Sequence, residues 1–539
     1  MPSFVCFFLG LFGVQVAARA VPVAKREVLT DLSGGFCRNY KFGATIANDV
    51  LYMNGLGGDI LPNDHNGSNN YLVELDLSSR VDLTDGTNYK LHLIPSDVPK
   101  LRDQALWVNR ANTTLFSYGG RGASDTPSDD AVWTYNISDG SWEMQQASVK
   151  PVRLVHGAYA DAPEIQAAYW IGGYQDSDTT TSITDDTKKY ANGMIQFNTT
   201  TEEFAVLDAP FTPVQEGALV YLPTNTMGAL LFFGGEVPSV QEGIDAELTP
   251  NAWDYVQIYD IKNQKWYKQT TYGNVSSRTQ FCASVVHEPE ASSWQIYVIS
   301  GADFESRDIV TDVSYLSVPS FRWFRAGGLT KGRMSHICHT YGRQIFGIGG
   351  RQAWADNSSA GCYGRPAFIY DAQSEVVRNE FDPTLSTYSI PSATADEIER
   401  NPRPSEWADN SLYSLFSLPR TITQPNPSSS RSSTNKAAIV GGVVSGVAGA
   451  TIIAGLIWFS IRKWRNAREV QDARVKADME DLKPRMLGEL GADDAFGELD
   501  GRNHHRSEML GDTRFLHELD STSPAGPAVH GVTKPGSTP

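Results

Sequence analysis

Leu230-Leu-Phe-Phe-Gly-Gly235 is an apolar run that ends in two glycines, and the chain repeats it with variation. The series begins Leu51-Tyr-Met-Asn-Gly-Leu-Gly-Gly58, Leu115-Phe-Ser-Tyr-Gly-Gly120 and Ala168-Tyr-Trp-Ile-Gly-Gly173. After residue 235 it continues with Ile296-Tyr-Val-Ile-Ser-Gly301 and Ile345-Phe-Gly-Ile-Gly-Gly350, at intervals of about 50 to 65 residues. A short apolar run bounded by turn residues reads as a strand buried on both faces. Glycine at its end permits close approach and backbone angles that other residues resist. The repeat glycines are therefore Gly57, Gly58, Gly119, Gly120, Gly172, Gly173, Gly234, Gly235, Gly301, Gly349 and Gly350.

Each run has companions. Ahead of it stands another strand-like stretch, as in His156-Gly-Ala-Tyr-Ala160, Gly217-Ala-Leu-Val-Tyr221 and Phe281-Cys-Ala-Ser-Val-Val286. Behind it, across a polar loop, comes an alternating run and then an aromatic: Val132-Trp-Thr-Tyr135 with Trp142, Tyr255-Val-Gln-Ile-Tyr259 with Trp266, Val313-Ser-Tyr-Leu316 with Trp323. Tyr71-Leu-Val-Glu-Leu75 and Phe368-Ile-Tyr-Asp371 fill that slot in the first and last repeats, where the terminal aromatic is missing. A four-stranded sheet cannot bury both faces alone, but several stacked around an axis can, with a tryptophan filling each gap between neighbours. The expected fold is all-β, a ring of six sheets, with seven as the alternative.

The flanks place this ring in a secretory setting. Phe4 to Val16 has the length and apolarity of a signal-peptide core, followed by Ala18-Arg19-Ala20, so residues 1–20 read as a signal and 21–35 as a short leader containing Lys25-Arg26. The ring with a more apolar closing segment, Tyr388 to Phe416, occupies 36–418, and 419–436 is a Ser/Pro/Thr-rich stalk. Residues 437–461 carry no charge and are long enough to span a bilayer as one helix. Arg462, Lys463, Arg465 and Arg468 behind them put the 462–539 tail in the cytoplasm, giving type I topology in the plasma membrane or another secretory membrane. The tail reads as disordered and as a place for cytosolic partners. Gly442, Gly446, Ala450 and Ala454 recur every fourth residue and suit a homodimer through the membrane helix. Sequons at Asn66, Asn112, Asn136, Asn198, Asn274 and Asn357 all precede that helix and are expected to be glycosylated. So do Cys37, Cys282, Cys338 and Cys362, an even number with three possible disulfide connectivities.

The apolar run with Gly-Gly, the spaced Tyr and Trp, and a basic residue opening the first strand (Arg153-Leu-Val-His156, Arg333-Met-Ser-His336) resemble the Kelch motif over about two-thirds of the chain. The full layout resembles the Kelch-repeat membrane proteins of filamentous fungi. That resemblance implies a Kelch-type β-propeller, six-bladed or seven-bladed, and a disulfide between Cys338 and Cys362.

Propellers carry many functions, so chemistry must be sought in residues. A net charge of -17 excludes a nucleic-acid footprint. No zinc-protease helix, nucleophile elbow or phosphate loop is present, so no catalytic residue, cofactor or metal ligand is expected. The enzyme alternative is a copper radical oxidase resembling galactose oxidase, which would draw on histidines among His65, His92, His156, His287, His336 and His339. Against it, His336 and His339 lie three apart in a predicted strand and point to opposite faces. The favoured reading is a recognition or scaffolding module. Its partner is a protein or a cell-wall glycan, held by the long loops Asp59 to Asn70, Tyr174 to Asn192 and Glu236 to Asp254.

Overall fold

The computed structural model describes residues 42–55, 71–122, 132–145, 152–224, 226–288, 293–354 and 366–416, all within the first of two units, residues 1–429. The stalk, the 437–461 segment and the tail lie outside the described residues. Among the described residues no helix is long and apolar enough to cross a membrane.

The described residues form six four-stranded antiparallel sheets, each a meander whose strand order follows the sequence. The first consists of Gly43–Ala47, Val50–Asn54, Tyr71–Asp76 and Tyr89–Leu93. The second runs from Leu101–Val108 through Thr114–Gly122 and Val132–Asn136 to Trp142–Gln145. Ala158–Ala162, Ala167–Ile171, Met194–Asn198 and Phe204–Leu207 make the third. The fourth holds Ala218–Leu222, Ala229–Phe233, Tyr255–Asp260 and Lys265–Thr270. Cys282–Glu288, Ser293–Ile299, Val313–Val318 and Arg322–Ala326 form the fifth. The sixth is Ile337–Tyr341, Gln344–Ile348, Ala367–Asp371 and Val376–Arg378.

The first strand of each sheet touches the first strands of the sheets before and after it, and the sixth touches the first. This closed ring is the arrangement of a β-propeller. The second strands, Ala167–Ile171, Ala229–Phe233 and Gln344–Ile348 among them, are buried along their whole length. That explains why they read as unbroken apolar runs: both faces pack on a neighbouring sheet.

Each gap between sheets holds its own apolar cluster. Trp323 and Trp253 sit with Phe233 between the fourth and fifth sheets, ring centroids 5.5 Å apart for the two tryptophans. Trp266 fills the third–fourth gap against Phe211, and Trp142 the first–second gap against Tyr135. The aromatic missing from the first repeat is Tyr89, which pairs with Leu75 as Trp142 pairs with Tyr135. It is buried, and its hydroxyl donates to Leu83 O at 2.9 Å. In the sixth sheet the corresponding place is taken by Val377, 38% exposed.

In the third and fourth sheets the glycine pairs directly follow the second strands, with left-handed backbone at both positions: Gly172 and Gly173 have φ of 70° and 80°, Gly234 and Gly235 of 67° and 83°. A Cβ on Gly173 would stand 2.1 Å from Val155 O, so the close approach of a neighbouring backbone, besides the positive φ, requires glycine. In the first sheet Gly55 (φ 80°) directly follows the second strand and takes this place; Gly57 and Gly58 lie outside the described residues.

The closing segment packs on the ring as its apolar residues suggest. Helix α1 (Ser392–Arg400) sets Ile398 into the cluster between the fifth and sixth sheets, with Tyr388 ahead of it. Helix α2 (Asn410–Phe416) buries Leu412, Leu415 and Phe416 in the fourth–fifth gap. Its first turn is capped by Asp409, which accepts from Ser411 N at 2.9 Å.

Candidate functional site

The six first strands surround an axial channel of about 420 Å³. One mouth is built by a repeated backbone device. Asp103, His156, Glu216, Gln280 and Ser335 occupy the same place in sheets two to six, and all five have positive φ, between 53° and 62°. Left-handed conformation in non-glycine residues costs about 1 kcal/mol or more each, and such strain gathers at functional sites. Here it turns five polar side chains toward one opening.

These side chains are linked. His156 Nδ1 pairs with Glu216 Oε1, and its Nε2 lies 3.4 Å from Asp103 Oδ2. The imidazole stacks on Tyr174 with centroids 4.9 Å apart. Arg121 reaches Asp103 at 3.6 Å and Asp176 at 3.0 Å. Burial opposes the charge on Arg121, and Asp103, Tyr174 and Asp176 together more than offset that. Across the mouth, Ser335 Oγ donates to Gln280 Oε1, which also accepts from Arg351 Nη2 at 3.2 Å.

Two of the three long loops rise on this same side and are ordered against each other. Tyr174–Gln175, Lys188–Tyr190 and Glu242–Gly243 form a three-stranded sheet that joins the loop of the third sheet to that of the fourth. Glu236–Pro238 and Leu248–Pro250 make a separate ribbon. The loop from Asp59 to Asn70 lies outside the described residues.

Deeper in the channel Asp161 faces Thr45, whose hydroxyl donates to its Oδ2 at 3.2 Å, while its Oδ1 is shielded and has no partner. Burial pushes the Asp161 carboxyl up to about 8, opposed by hydrogen bonds from Thr45 and the Val108 backbone. Ser284 and Thr340 share a 2.6 Å hydroxyl contact. His336 is 4% exposed, neither ring nitrogen has a hydrogen-bond partner, and burial with the nearby Arg333 charge pushes it down to about 3.

The structure corrects the expected disulfide. Cys338 is bonded to Cys282, with Cα atoms 5.4 Å apart, and not to Cys362, which lies outside the described residues with Cys37. The reason is spatial: the two cysteines stand on the first strands of the fifth and sixth sheets, which touch across the channel wall. Cys282 Sγ, Cys338 Sγ and a ring nitrogen of His336 all lie within 4.8 Å of one another. Sequence reasoning missed this group because its members belong to two repeats; the only local signal is His336-Ile-Cys338.

The other histidines stay apart. His92 Nε2 lies 2.8 Å from Glu74, and His287 packs on Trp294 at 5.3 Å. His336 lies just ahead of the strand that contains His339, so the two do not share a strand; both line the channel. His65 lies outside the described residues. The arginines that resembled strand openers are buried braces: Arg153 donates to Gly119 O and Arg333 to Gly349 O, each at 2.9 Å. Among the sequons, Asn136 and Asn274 are exposed and Asn112 and Asn198 half-buried on turns and strand ends; Asn66 and Asn357 lie outside the described residues.

No family model matches the chain. A Kelch repeat-containing protein of Arthroderma benhamiae is 25% identical over 398 residues, 64% of this chain and 57% of that protein. The chain is similar to a Kelch-repeat protein. It spans little more than half of that relative's length. The solved structure of YjhT is 15% identical and covers 65% of this chain and 100% of its own, with a TM-score of 0.45.

Proposed function

We propose that this chain is a single-pass, type I surface glycoprotein whose six sheets are the blades of a complete Kelch-type propeller, and that the propeller recognises a protein or cell-wall glycan at the polar channel mouth. The observation that carries the reading is the ring of five left-handed polar residues beneath two mutually paired long loops. Strained polar side chains under ordered loops make a preformed concave surface, which lowers the ordering cost of binding. The membrane part rests on the uncharged stretch 437–461 and its basic flank.

The test uses the full-length chain expressed in a secretory host. Removal of N-glycans should raise its mobility stepwise, with one step lost in each of Asn112→Gln, Asn136→Gln, Asn198→Gln and Asn274→Gln. Binding to a panel of fungal wall polysaccharides and wall proteins should fall when Asp178→Lys and Glu242→Lys reverse the exposed charge of the rim. A chain without N-glycans sinks the surface assignment. Binding that is unaffected by rim reversal but lost on substituting the opposite face sinks the mouth as the recognition surface.

A further inference from the structure

We propose that Cys282, Cys338 and His336 form a redox-gated site for one thiophilic metal ion, Zn²⁺, in the wall of the axial channel. Three observations meet here. The two sulfurs and a ring nitrogen lie within 4.8 Å of one another, a grouping that small side-chain shifts bring onto one ion once the S–S bond is broken. All three residues are buried, at 5%, 8% and 4% exposure, so the donors are held in the packed channel wall. Both nitrogens of His336 lack a hydrogen-bond partner, which is costly for a buried imidazole unless something else engages it.

The fold itself does not demand histidine at this position. The residues in the same place of sheets two to five are Gln104, Gly157, Gly217 and Phe281. Two thiolates and one imidazole are the donor set of an open zinc site, with a fourth position left for water or a ligand. That position faces the channel, which Ser335, His336, Cys282 and Cys338 all line. Soft thiolate donors also exclude the hard cations Mg²⁺ and Ca²⁺.

The disulfide is the closed state of this site. While Cys282 and Cys338 are bonded to each other, neither sulfur is a thiolate and no ion is held. A dithiol reductant delivers two electrons and two protons, breaks the S–S bond and leaves two thiols. Zn²⁺ then binds with loss of both protons. Reoxidation by a disulfide of higher potential takes two electrons from the sulfurs, restores the S–S bond and ejects the ion.

The test titrates the full-length chain with Co²⁺ and Zn²⁺, without oxygen, before and after treatment with a dithiol that is then removed. Reduced protein should take about one ion per chain and show thiolate-to-cobalt charge-transfer absorption; the disulfide form should take none. Cys282→Ser and Cys338→Ser should abolish both signals, and a Cys37→Ser/Cys362→Ser background should retain them. His336→Gln should weaken binding roughly 10–100-fold or more, by comparison with what outer-shell losses cost, and change the cobalt spectrum. If His336→Gln fails to fold, His336→Cys serves instead, and it should retain the ion with an all-sulfur spectrum. A reduced chain that binds no ion, retention of the ion by Cys282→Ser, an unchanged affinity and spectrum in His336→Gln, or loss of the ion in His336→Cys would overturn the proposal.

Discussion

Asp161→Asn should stabilise this protein progressively as pH rises, because the wild-type carboxyl is held in a place that disfavours its charge. Its Oδ1 is shielded and without a partner, and the residue faces Thr45 and Tyr159, with Glu164 adding repulsion. The folded-state value lies near 8 against 3.8 for the free side chain. Between those two values the unfolded chain has released the proton and the folded chain has kept it. Stability from this group is therefore complete below about pH 4 and is lost as pH rises through about 8, at about 1.4 kcal/mol per pH unit. The full window would amount to about 5–6 kcal/mol; water entering the open channel screens the charge and reduces this to about 2–3 kcal/mol. Asparagine keeps the shape and an acceptor for Thr45 but carries no titrating proton. Thermal unfolding of both proteins at pH 4.5, 6 and 8 measures the difference. The gap should widen by about 3 °C between the extremes, given an unfolding entropy of about 0.8 kcal/mol/K for a domain of this size. A gap that stays constant across that range would refute the assignment of a carboxyl that keeps its proton in the folded channel.

Three further outcomes follow from the packing. Gly235→Ala places a Cβ 2.4 Å from Gln215 O at φ 83° and should cost about 2–4 kcal/mol, whereas Gly243→Ala, whose nearest contact is Val240 Cγ2 at 3.3 Å, should stay within about 0.5 kcal/mol in urea unfolding. Trp323→Ala, which empties the fourth–fifth gap, should cost about 3–5 kcal/mol; a loss under about 1 kcal/mol would mean the gap is held by Phe233 and Trp253 alone. At the junction of the sixth and first sheets, Phe381→Ala should cost about 3 kcal/mol or more, while Arg80→Ala, which removes exposed ion pairs to Glu380 and Asp382, should cost under about 1 kcal/mol.

The ring was legible in the sequence because burial on both faces leaves an unmistakable pattern, as in Leu230 to Gly235 followed by Tyr259 and Trp266. Where one element shifts, the pattern fails. Tyr89 escaped notice because the first sheet inserts Val81–Asp82 and a short turn before its last strand, which displaces the aromatic from its usual spacing. In the first repeat the second strand ends at Asn54 and a left-handed turn falls on Gly55, ahead of Gly57 and Gly58, which lie outside the described residues. The long loops above the mouth were legible, but the five residues that build it were not. Its five residues share a backbone conformation and nothing else; Asp103, His156, Glu216, Gln280 and Ser335 have no common chemistry that a repeat search would align. The disulfide was misassigned because a resemblance within one repeat cannot say which first strands touch.

The way the ring closes bears on where its chemistry can sit. Among the described residues each four-stranded sheet is built from one continuous stretch of chain, with no strand exchanged between the first sheet and the sixth. That junction is held instead by a shared apolar cluster, by the ribbon between Val81–Asp82 and Glu380–Phe381, and by the Tyr341 hydroxyl on Asp49 at 2.8 Å. The fifth and sixth sheets, by contrast, are joined covalently through Cys282 and Cys338, and α1 seals the gap behind them. The third and fourth sheets are tied by their paired loops, and α2 covers the gap between the fourth and fifth. The Cys282–His336–Cys338 group lies at the cross-linked fifth and sixth sheets, where a donor set can be held to a fixed geometry. Reducing the disulfide releases the Cys282–Cys338 cross-link between the fifth and sixth sheets, and an ion bound by these residues and His336 would restore a tie at that point.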